Sequence, residues 1–446
     1  MPFKKYIAPL YFTPVFYAAG AVVAVCFVLR FFLRWPGDLP FLLLGLFFLL
    51  TAMDYLLLFG RGGSIFARRI APERLSNGDE NDILIYVKSR YRFRVRLTVI
   101  DEVPFQFRKR DTEFTLSVLP GREQHIRYGL RPVRRGAYEF GKINVYARSR
   151  LGWIERRYRF ETPLTVPVYP GFLQMRRYQL LALANRLSEA GIRRLRRVGH
   201  SPEFEHIKEY VQGDDMRTVN WKATARRGGL MVNHYTEEKS QQIYCIIDKG
   251  RVMKMPFNGM SLLDYAINAA LVLSNVALLK QDKAGLITFS EAPGTFLKAD
   301  ARAVQMSAIL ELLYNQKTRY LESDYEKLYQ LLRARVTHRS LLVLFTNFET
   351  LTALQRQLPY LRRIARHHLL LVVIFENTEL RKIREAPARD LEAVYTQTIA
   401  EQFAHEKQRI LKELRQYGIL ALLTAPEQVT VSTVNRYLEV KSRGEL

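Results

Sequence analysis

The sequence predicts a multi-domain membrane protein with an α-helical transmembrane hairpin, an all-β sandwich-like module and an α/β domain that ends in a C-terminal helical tail. Two long apolar runs lie in the first sixty residues, and short runs that alternate polar and apolar residues follow them. Further along, apolar strands alternate with long helical patterns. We expect four parts, at residues 1–60, 61–170, 171–240 and 241–446.

The two apolar runs, residues 13–33 and 39–59, each approach the ~20 residues that cross a bilayer core. A cleaved signal peptide is the alternative for the first run, but a second apolar run follows at once. Basic residues such as Lys4 precede the first run, and others such as Arg61 follow the second. By the positive-inside rule we expect two spans in a plasma membrane, with both termini in the cytoplasm.

Two charged residues, Arg30 and Asp54, stand inside these runs. With this topology their depths differ by about 12 residues, or ~18 Å of helical rise, so they cannot pair with each other. We expect each side chain to snorkel towards the nearer membrane surface.

The alternating runs between residues 81 and 169 are typical of an antiparallel β-sandwich. In the run that begins at residue 90, the arginines at 90, 92, 94 and 96 recur with period two and share one face, while Tyr91 and Phe93 face the core. Three interpretations remain open for this stripe: a solvated face, contact with anionic lipid or an acidic partner, and nucleic-acid binding. The aromatic rings lie on the opposite side from the arginines, which argues against a stacking platform for nucleic acid.

The composition indicates anionic partners and argues against disulfide and zinc sites. The chain has 68 Lys and Arg residues against 43 Asp and Glu, a formal net charge of +25, so part of its surface should meet anions. Its two cysteines, Cys26 and Cys245, both stand in apolar runs. This spacing excludes a disulfide framework and the usual zinc motifs.

Residues 196–253 form the most distinctive stretch, because charged and small residues alternate with single aromatic residues. We expect a lattice of buried ion pairs that aromatic rings hold in place. Gly213, Asp214 and Asp215 predict a turn, with a helix starting at Met216. The residues that carry the pattern are Glu203, Phe204, Glu209, Tyr210, Gly213, Asp214, Asp215, Arg217, Trp221, Lys222 and Arg226.

This signature segment, residues 203–226, resembles the signature of the bacterial family called "domain of unknown function 58". The resemblance implies a membrane-associated adaptor that works with MoxR-type AAA+ ATPases, with other von Willebrand factor A-like membrane proteins as further partners. It implies no enzymatic activity and no cofactor.

Beyond the signature segment, apolar strands at 241–248, 284–290, 340–348 and 368–376 alternate with helical patterns. This alternation predicts a parallel sheet covered by helices on both faces. It is also the element order of a von Willebrand factor A-like domain.

Ligands of such sheets gather at the carboxyl ends of the strands. A metal site of this type resembles D-x-S-x-S followed by a later Thr and Asp, with oxygen ligands that suit Mg²⁺. Here Asp248 is present, but Gly250 and Val252 replace the serines and Asn347 replaces the later aspartate. Lys249 and Arg251 add positive charge. We therefore expect a degenerate site without metal, unless a partner's carboxylate completes it.

Three catalytic signals are weak or absent. No G-x-x-x-x-G-K-[S/T] loop for ATP appears, and neither cysteine has a base nearby in sequence. His200, Glu203 and His206 lack the spacing of a helical zinc pair. The expected function is a non-enzymatic adaptor whose α/β domain binds a partner, with the signature segment either at that contact or only joining domains. The alternative is a membrane-tethered nucleic-acid-binding protein.

Overall fold

The computed structural model describes residues 8–33, 38–60, 63–109, 112–161, 163–183, 203–212, 214, 216–236, 240–318, 321–387 and 390–445. The chain divides into two compact units, Met1–Tyr169 and Pro170–Leu446. Apolar helices come first, a β-rich region follows, and strands and helices alternate towards the C-terminus, which confirms the predicted order.

The first unit begins with two apolar helices, α1 (Pro14–Leu33) and α2 (Leu39–Phe59). By length and composition both could span a membrane. Large apolar side chains such as Phe31 and Leu42 are exposed along them. Exposure of this kind suits helices that face lipid rather than water.

The predicted snorkelling of Asp54 is wrong. Its side chain is fully buried and accepts hydrogen bonds from the backbone N–H groups of Trp153 and Ile154, each at 3.0 Å, and from the Ser149 hydroxyl. The carboxylate therefore ties α2 to a β-turn of the same unit. Arg30 instead lies 3.7 Å from Asp38, at the other end of the hairpin.

Eleven described strands form the β-rich region. They are β1 (Leu10–Phe12), β2 (Ile65–Ile70), β3 (Leu75–Ser76), β4 (Asn81–Ser89), β5 (Val95–Asp101), β6 (Glu113–Val118), β7 (Glu123–Leu130), β8 (Gly136–Phe140), β9 (Ile143–Arg148), β10 (Ile154–Phe160) and β11 (Leu164–Tyr169). They pair as β1-β10-β9-β5-β6, β2-β4-β7 and β3-β11-β8, with only the β3–β11 pair parallel among these. One core of alternate side chains fills the space between them, as in a sandwich.

The arginine stripe departs from the prediction in one respect. Strand β5 begins at Val95 rather than at residue 90. Residues 90 and 91 instead bond to groups outside the β5 pairing. The Arg90 N–H donates to the Ser64 carbonyl at 2.8 Å, and the Tyr91 hydroxyl donates to the Leu58 carbonyl of α2, also at 2.8 Å. The arginines at 90, 92, 94 and 96 are nevertheless all exposed, as the alternation predicts.

A buried ion pair links two of these sheets. Arg69 of β2 donates from Nε to the Asp101 carboxylate of β5 at 3.1 Å and from Nη2 to the other carboxylate oxygen. Tyr128 of β7 donates its hydroxyl to the same carboxylate. Arg69 and Asp101 are both buried, and Arg69 also donates to the Gly141 carbonyl at 3.1 Å.

The second unit is built around one six-stranded sheet. Its described strands are β12 (Glu203–Glu209), β13 (Met231–Thr236), β14 (Gln242–Asp248), β15 (Pro256–Phe257), β16 (Met260–Ser261), β17 (Lys283–Phe289), β18 (Pro293–Asp300), β19 (Leu341–Phe345), β20 (Leu369–Phe375) and β21 (Leu420–Thr424). The large sheet has the order β18-β17-β14-β19-β20-β21, and only β18 within it is antiparallel to its neighbour. Four of these strands match the predicted ones, whereas β18 and β21 were not predicted.

The described helices of this unit are α3 (Phe172–Leu183), α4 (Trp221–Arg227), α5 (Leu262–Leu279), α6 (Val304–Tyr314), α7 (Tyr325–Arg335), α8 (Leu351–Ala365), α9 (Thr378–Glu385), α10 (Leu391–Gln416) and α11 (Val429–Ser442). Helices α7, α8 and α10 pack on one face of the sheet, in a core that includes Tyr244 and Ile246. On the other face α5 contacts β14 and is flanked by α3 and α11. The sheet is therefore covered on both faces, as predicted for parallel strands.

Helix α5 is also long and apolar enough to cross a membrane, yet nearly all of it is buried within this unit. Its apolar character is therefore that of a core helix. It begins at a capping box, in which Ser261 and Asp264 satisfy each other's backbone N–H groups.

Candidate functional site

The carboxylate of Asp248 stands at the carboxyl end of β14, as the sequence predicts, but it is buried. It accepts hydrogen bonds from the Gly250 N–H at 2.8 Å, from the Thr346 hydroxyl at 2.7 Å, from the Tyr325 hydroxyl at 3.3 Å and from the Ser323 hydroxyl. These donors close the carboxylate off from solvent. Asp248 is therefore not presented at the rim of the sheet for a ligand.

Burial raises the pKa of the Asp248 carboxyl above its usual range, although the hydrogen bonds from Ser323, Gly250 and Thr346 act in the opposite direction. The carboxylate is thus held by neutral hydroxyl and amide donors rather than by a cation. In a metal site, by contrast, the carboxylate would be open to coordinate a divalent ion.

The degenerate position at Gly250 has a steric explanation. A Cβ atom added at Gly250 would lie 2.2 Å from the Ser323 hydroxyl oxygen. Ser323, which belongs to a distant part of the sequence, therefore occupies the space that a serine at position 250 would need. Val252 has no oxygen to offer a metal, and it lies in a short 3₁₀ helix, Arg251–Lys254.

Asn347, the third degenerate position, has a cationic partner from its own chain. The Lys407 ammonium of α10 donates to the Asn347 side-chain oxygen at 2.7 Å and to the Phe348 carbonyl at 2.6 Å. Asn347 follows Thr346, which bonds to Asp248, so the two predicted positions do belong to one edge of the sheet. Within the part of the chain that the structure describes, no group of three His, Cys, Asp or Glu residues could hold a metal ion.

A cavity of about 750 Å³ opens beside Lys407, near the carboxyl ends of β19, β20 and β21. Its walls include apolar side chains from several elements, among them Phe257, Leu262, Phe375 and Leu423. A volume in this range is typical of small-molecule sites.

Lys407 should make the stability of the second unit depend on pH. Burial lowers the pKa of its ammonium from 10.5 to about 8, while Glu349 and Glu406 act weakly in the opposite direction. Between about pH 8 and 10.5 the unfolded chain therefore binds more protons than the folded chain, and the free energy of unfolding should rise with pH. Urea unfolding of the full-length protein at pH 7.5 and pH 10 measures this change. The rise attributable to Lys407 should vanish in Lys407→Met and persist in Lys412→Met, an exposed lysine of the same helix; an equal rise in all three proteins would contradict the assignment.

The signature segment forms a small antiparallel unit. Strands β12 and β13 pair with each other, and a short 3₁₀ helix (Met216–Thr218) and α4 lie between them in sequence. The Asn220 side chain caps α4 by accepting from the Ala223 N–H at 3.0 Å, and it donates to Asn233 of β13 at 2.8 Å. The predicted helix start at Met216 is therefore a 3₁₀ helix, and the α-helix begins at Trp221.

The prediction of a buried ion-pair lattice in this segment is wrong for the residues that the structure describes. The half-buried Lys208 ammonium lies 2.9 Å from the Asp214 carboxylate, which also accepts from the Val211 N–H at 3.1 Å. Trp221, expected to hold the lattice in place, is 71% exposed. Tyr210 is half-buried, and the exposed members of the predicted set are Glu209, Arg217, Lys222 and Arg226.

Four predicted residues, or their side chains, lie outside the part of the chain that the structure describes. Gly213 and Asp215 lie outside the described residues, and so do the side chains of Glu203 and Phe204. The sequence reasoning also missed Ser323, Tyr325, Thr346 and Lys407. Thr346 directly precedes Asn347 and could have been found, whereas the other three come from segments with no distinguishing local pattern.

Part of this chain is similar to a known protein family. Residues 206–409 match the family model described as "Protein of unknown function DUF58". Residues 206–409 belong to the DUF58 family. The DUF58 region thus includes α4, Asp248 and Lys407, and it ends within α10.

A curated relative of this chain is the uncharacterized protein YeaD of Bacillus subtilis (strain 168), which is 30% identical over 135 residues. The match covers 29% of this chain and 32% of YeaD, so it spans about a third of the length of that relative.

Two solved structures illustrate the range of structural likeness. The conserved hypothetical protein BatB of Bacteroides thetaiotaomicron is 13% identical with a TM-score of 0.31, over 46% of this chain and 100% of BatB. The CARDB domain of the PF1109 protein of Pyrococcus furiosus is 15% identical with a TM-score of 0.17, over 24% of this chain and 94% of that domain. These TM-scores are too low to assign a fold.

Proposed function

We propose that this protein is a non-enzymatic membrane-anchored adaptor whose cytoplasmic part binds a MoxR-type AAA+ ATPase and so serves the assembly or maturation of other proteins. The observation that carries the proposal is Trp221, which stands 71% exposed on α4 within the DUF58 region. A large aromatic side chain in water gains free energy when a partner covers it, and tryptophan is enriched among the residues that dominate binding energy.

Other exposed side chains of the signature segment also suit a protein partner. Val211 and Met216 of the same segment are 63% and 62% exposed. Basic side chains at Lys222 and Arg226 follow on α4 and are also exposed. Exposed apolar and basic side chains on one segment favour a partner whose surface offers both apolar and acidic groups.

The architecture supports two further parts of the proposal, the class of the α/β domain and the membrane anchor. The mainly parallel sheet with helices on both faces, together with the strand order along the chain, supports a von Willebrand factor A-like domain. The two apolar helices, preceded and followed by basic residues, support a plasma-membrane anchor with both termini in the cytoplasm.

A non-enzymatic role is consistent with the chemistry at the sheet edge. Hydroxyl groups and a backbone N–H satisfy the Asp248 carboxylate, so it has little freedom to act as a base. Burial raises the pKa of the Cys245 thiol to about 12, which keeps it protonated at neutral pH and unreactive as a nucleophile.

Replacing the exposed tryptophan tests the proposal directly. In full-length protein held in nanodiscs, Trp221→Ala should reduce co-purification of the MoxR-type ATPase from the same organism by about tenfold or more, as expected for loss of an interface anchor. The fold should be retained because the side chain is exposed. Tyr395→Ala is a matched control, since Tyr395 is 65% exposed on α10 outside the segment. Unchanged capture by Trp221→Ala and by Arg226→Glu would refute a contact at α4.

The second candidate, nucleic-acid binding, is favoured by one observation. Trp221 and the exposed Lys222 and Arg226 lie on the same short helix, and bases stack on exposed aromatic rings beside cationic groups. A gel-shift titration with single-stranded oligonucleotides across salt concentrations distinguishes the two, because phosphate binding falls steeply with salt. Absence of binding near physiological salt would exclude this candidate.

A further inference from the structure

The cavity beside Lys407 combines apolar walls with the half-buried ammonium of Lys407. Side chains of Phe257, Leu262, Phe375 and Leu423 supply apolar walls, and the space measures about 750 Å³. An apolar ligand body of drug size would remove these walls from water.

The Lys407 ammonium forms no ion pair among the described residues of this cavity, although the more distant Glu349 carboxylate of the wall acts on its pKa against the effect of burial. Of its three N–H donors, one goes to the Asn347 side-chain oxygen and one to the Phe348 carbonyl, which are both neutral acceptors. Among the residues that the structure describes, no carboxylate lies within 4.0 Å of this ammonium. A charge that is partly withdrawn from water and has no close counter-ion is costly, so an anion that enters the cavity would gain a charge-assisted hydrogen bond.

Several other charged groups on the cavity wall pair with their neighbours, whereas the carboxylates of Glu349 and Glu401 also line the cavity and form no described ion pair with Lys407. Arg381 lies 3.4 Å from Glu376, and Glu379 lies 3.0 Å from Lys382. Arg384 lies 3.9 Å from Glu385. These pairs leave Lys407 as the described cation of the wall best placed to receive an anion.

We propose that this cavity binds an organic carboxylate with an apolar body, whose carboxylate pairs with the Lys407 ammonium. One ammonium with one remaining donor matches a monoanion better than a phosphate dianion, which needs several donors. The apolar walls match a hydrocarbon or aromatic body. The carboxylate belongs either to a free small molecule or to the C-terminus of a peptide with an apolar last residue, and both present the same chemistry.

Photo-labelling of the full-length protein in nanodiscs tests the site. The probe is 3-(4-benzoylphenyl)propanoate, and its primary amide is the uncharged control. We expect the acid to label peptides that contain residues 255–262 or 400–408 about tenfold or more strongly than the amide, as a charge-assisted hydrogen bond implies. Equal labelling by acid and amide, or labelling only outside these peptides, would overturn the proposal.

Two variants sharpen this test. Lys407→Met keeps the length of the side chain without its charge and should lose the preference for the acid, whereas Lys412→Met should keep it. Retention of the preference in Lys407→Met would overturn the assignment. If Lys407→Met does not fold, the comparison of acid and amide on the unaltered protein decides alone.

Competition then separates the two sources of the carboxylate. Displacement of the probe by 4-phenylbutanoate at lower concentration than by N-acetyl-Phe-Leu supports a free small molecule, and the reverse order supports a peptide C-terminus. Failure of both to compete at millimolar concentration would contradict binding of apolar carboxylates.

Discussion

Asp101→Ala should lower the free energy of unfolding of the first unit by about 3–5 kcal/mol, the usual cost of removing one partner from a buried ion pair. Asp101 accepts from Arg69 and Tyr128, and both it and the arginine are buried. Without the carboxylate, the Arg69 guanidinium keeps its charge in a place that water does not reach. The loss should therefore greatly exceed that of an ordinary surface substitution.

The same strands provide the control. Arg127 of β7 donates to Asp82 of β4 at 3.0 Å, but both side chains are exposed. Asp82→Ala should change stability little, because an exposed pair is screened by water. Urea unfolding of the full-length protein in nanodiscs, followed by hydrogen exchange of the β4 and β5 amides, compares the two variants. Similar losses in Asp101→Ala and Asp82→Ala would contradict the structural argument.

Asp54→Ala should open the junction between α2 and the turn that precedes β10. The substitution leaves the N–H groups of Trp153 and Ile154 and the Ser149 hydroxyl without their acceptor. Each unsatisfied buried group costs about 1–3 kcal/mol. The total loss in free energy of unfolding should therefore be similar to that in Asp101→Ala. Mass spectrometry should show faster hydrogen exchange at Trp153 and Ile154 in the variant.

Two further substitutions make this result specific to Asp54. Asp54→Asn retains an acceptor oxygen and should show a smaller increase in exchange. Asp38→Ala removes an exposed carboxylate at the other end of the hairpin and should leave Trp153 and Ile154 protected. Unchanged protection in Asp54→Ala would show that the carboxylate does not hold this junction.

Most of the fold prediction came from the periodic patterns of apolar residues. The apolar runs of α1 and α2, the alternation of β4 and β7, and the buried strands β14, β17, β19 and β20 were all predicted close to their observed bounds. Strand β21 is a short apolar run, LALLT, and β18 is an antiparallel edge strand that is partly exposed. Both were missed because short or half-exposed strands have weak periodic signals.

The candidate site was predicted less completely. The degenerate positions at Asp248, Gly250 and Asn347 follow from residue types alone. The groups that hydrogen-bond to Asp248 and Asn347, Ser323 and Lys407, come from segments far away in sequence. Likewise, the charges of the signature segment predicted burial, but charge pattern does not report exposure, and Trp221 proved to be exposed.

Local sequence was therefore sufficient for most of the elements, for their order and for the DUF58 character of residues 206–409, because periodicity and a long motif are properties of contiguous residues. It could not show that Asp54 bonds to the loop before β10, that Asp248 is satisfied by hydroxyl groups, or that Lys407 lines a cavity without forming an ion pair there. Each of these depends on groups that only packing brings within hydrogen-bond distance. Burial and pairing of a charge are properties of its neighbours in space, and the folded chain supplies those neighbours.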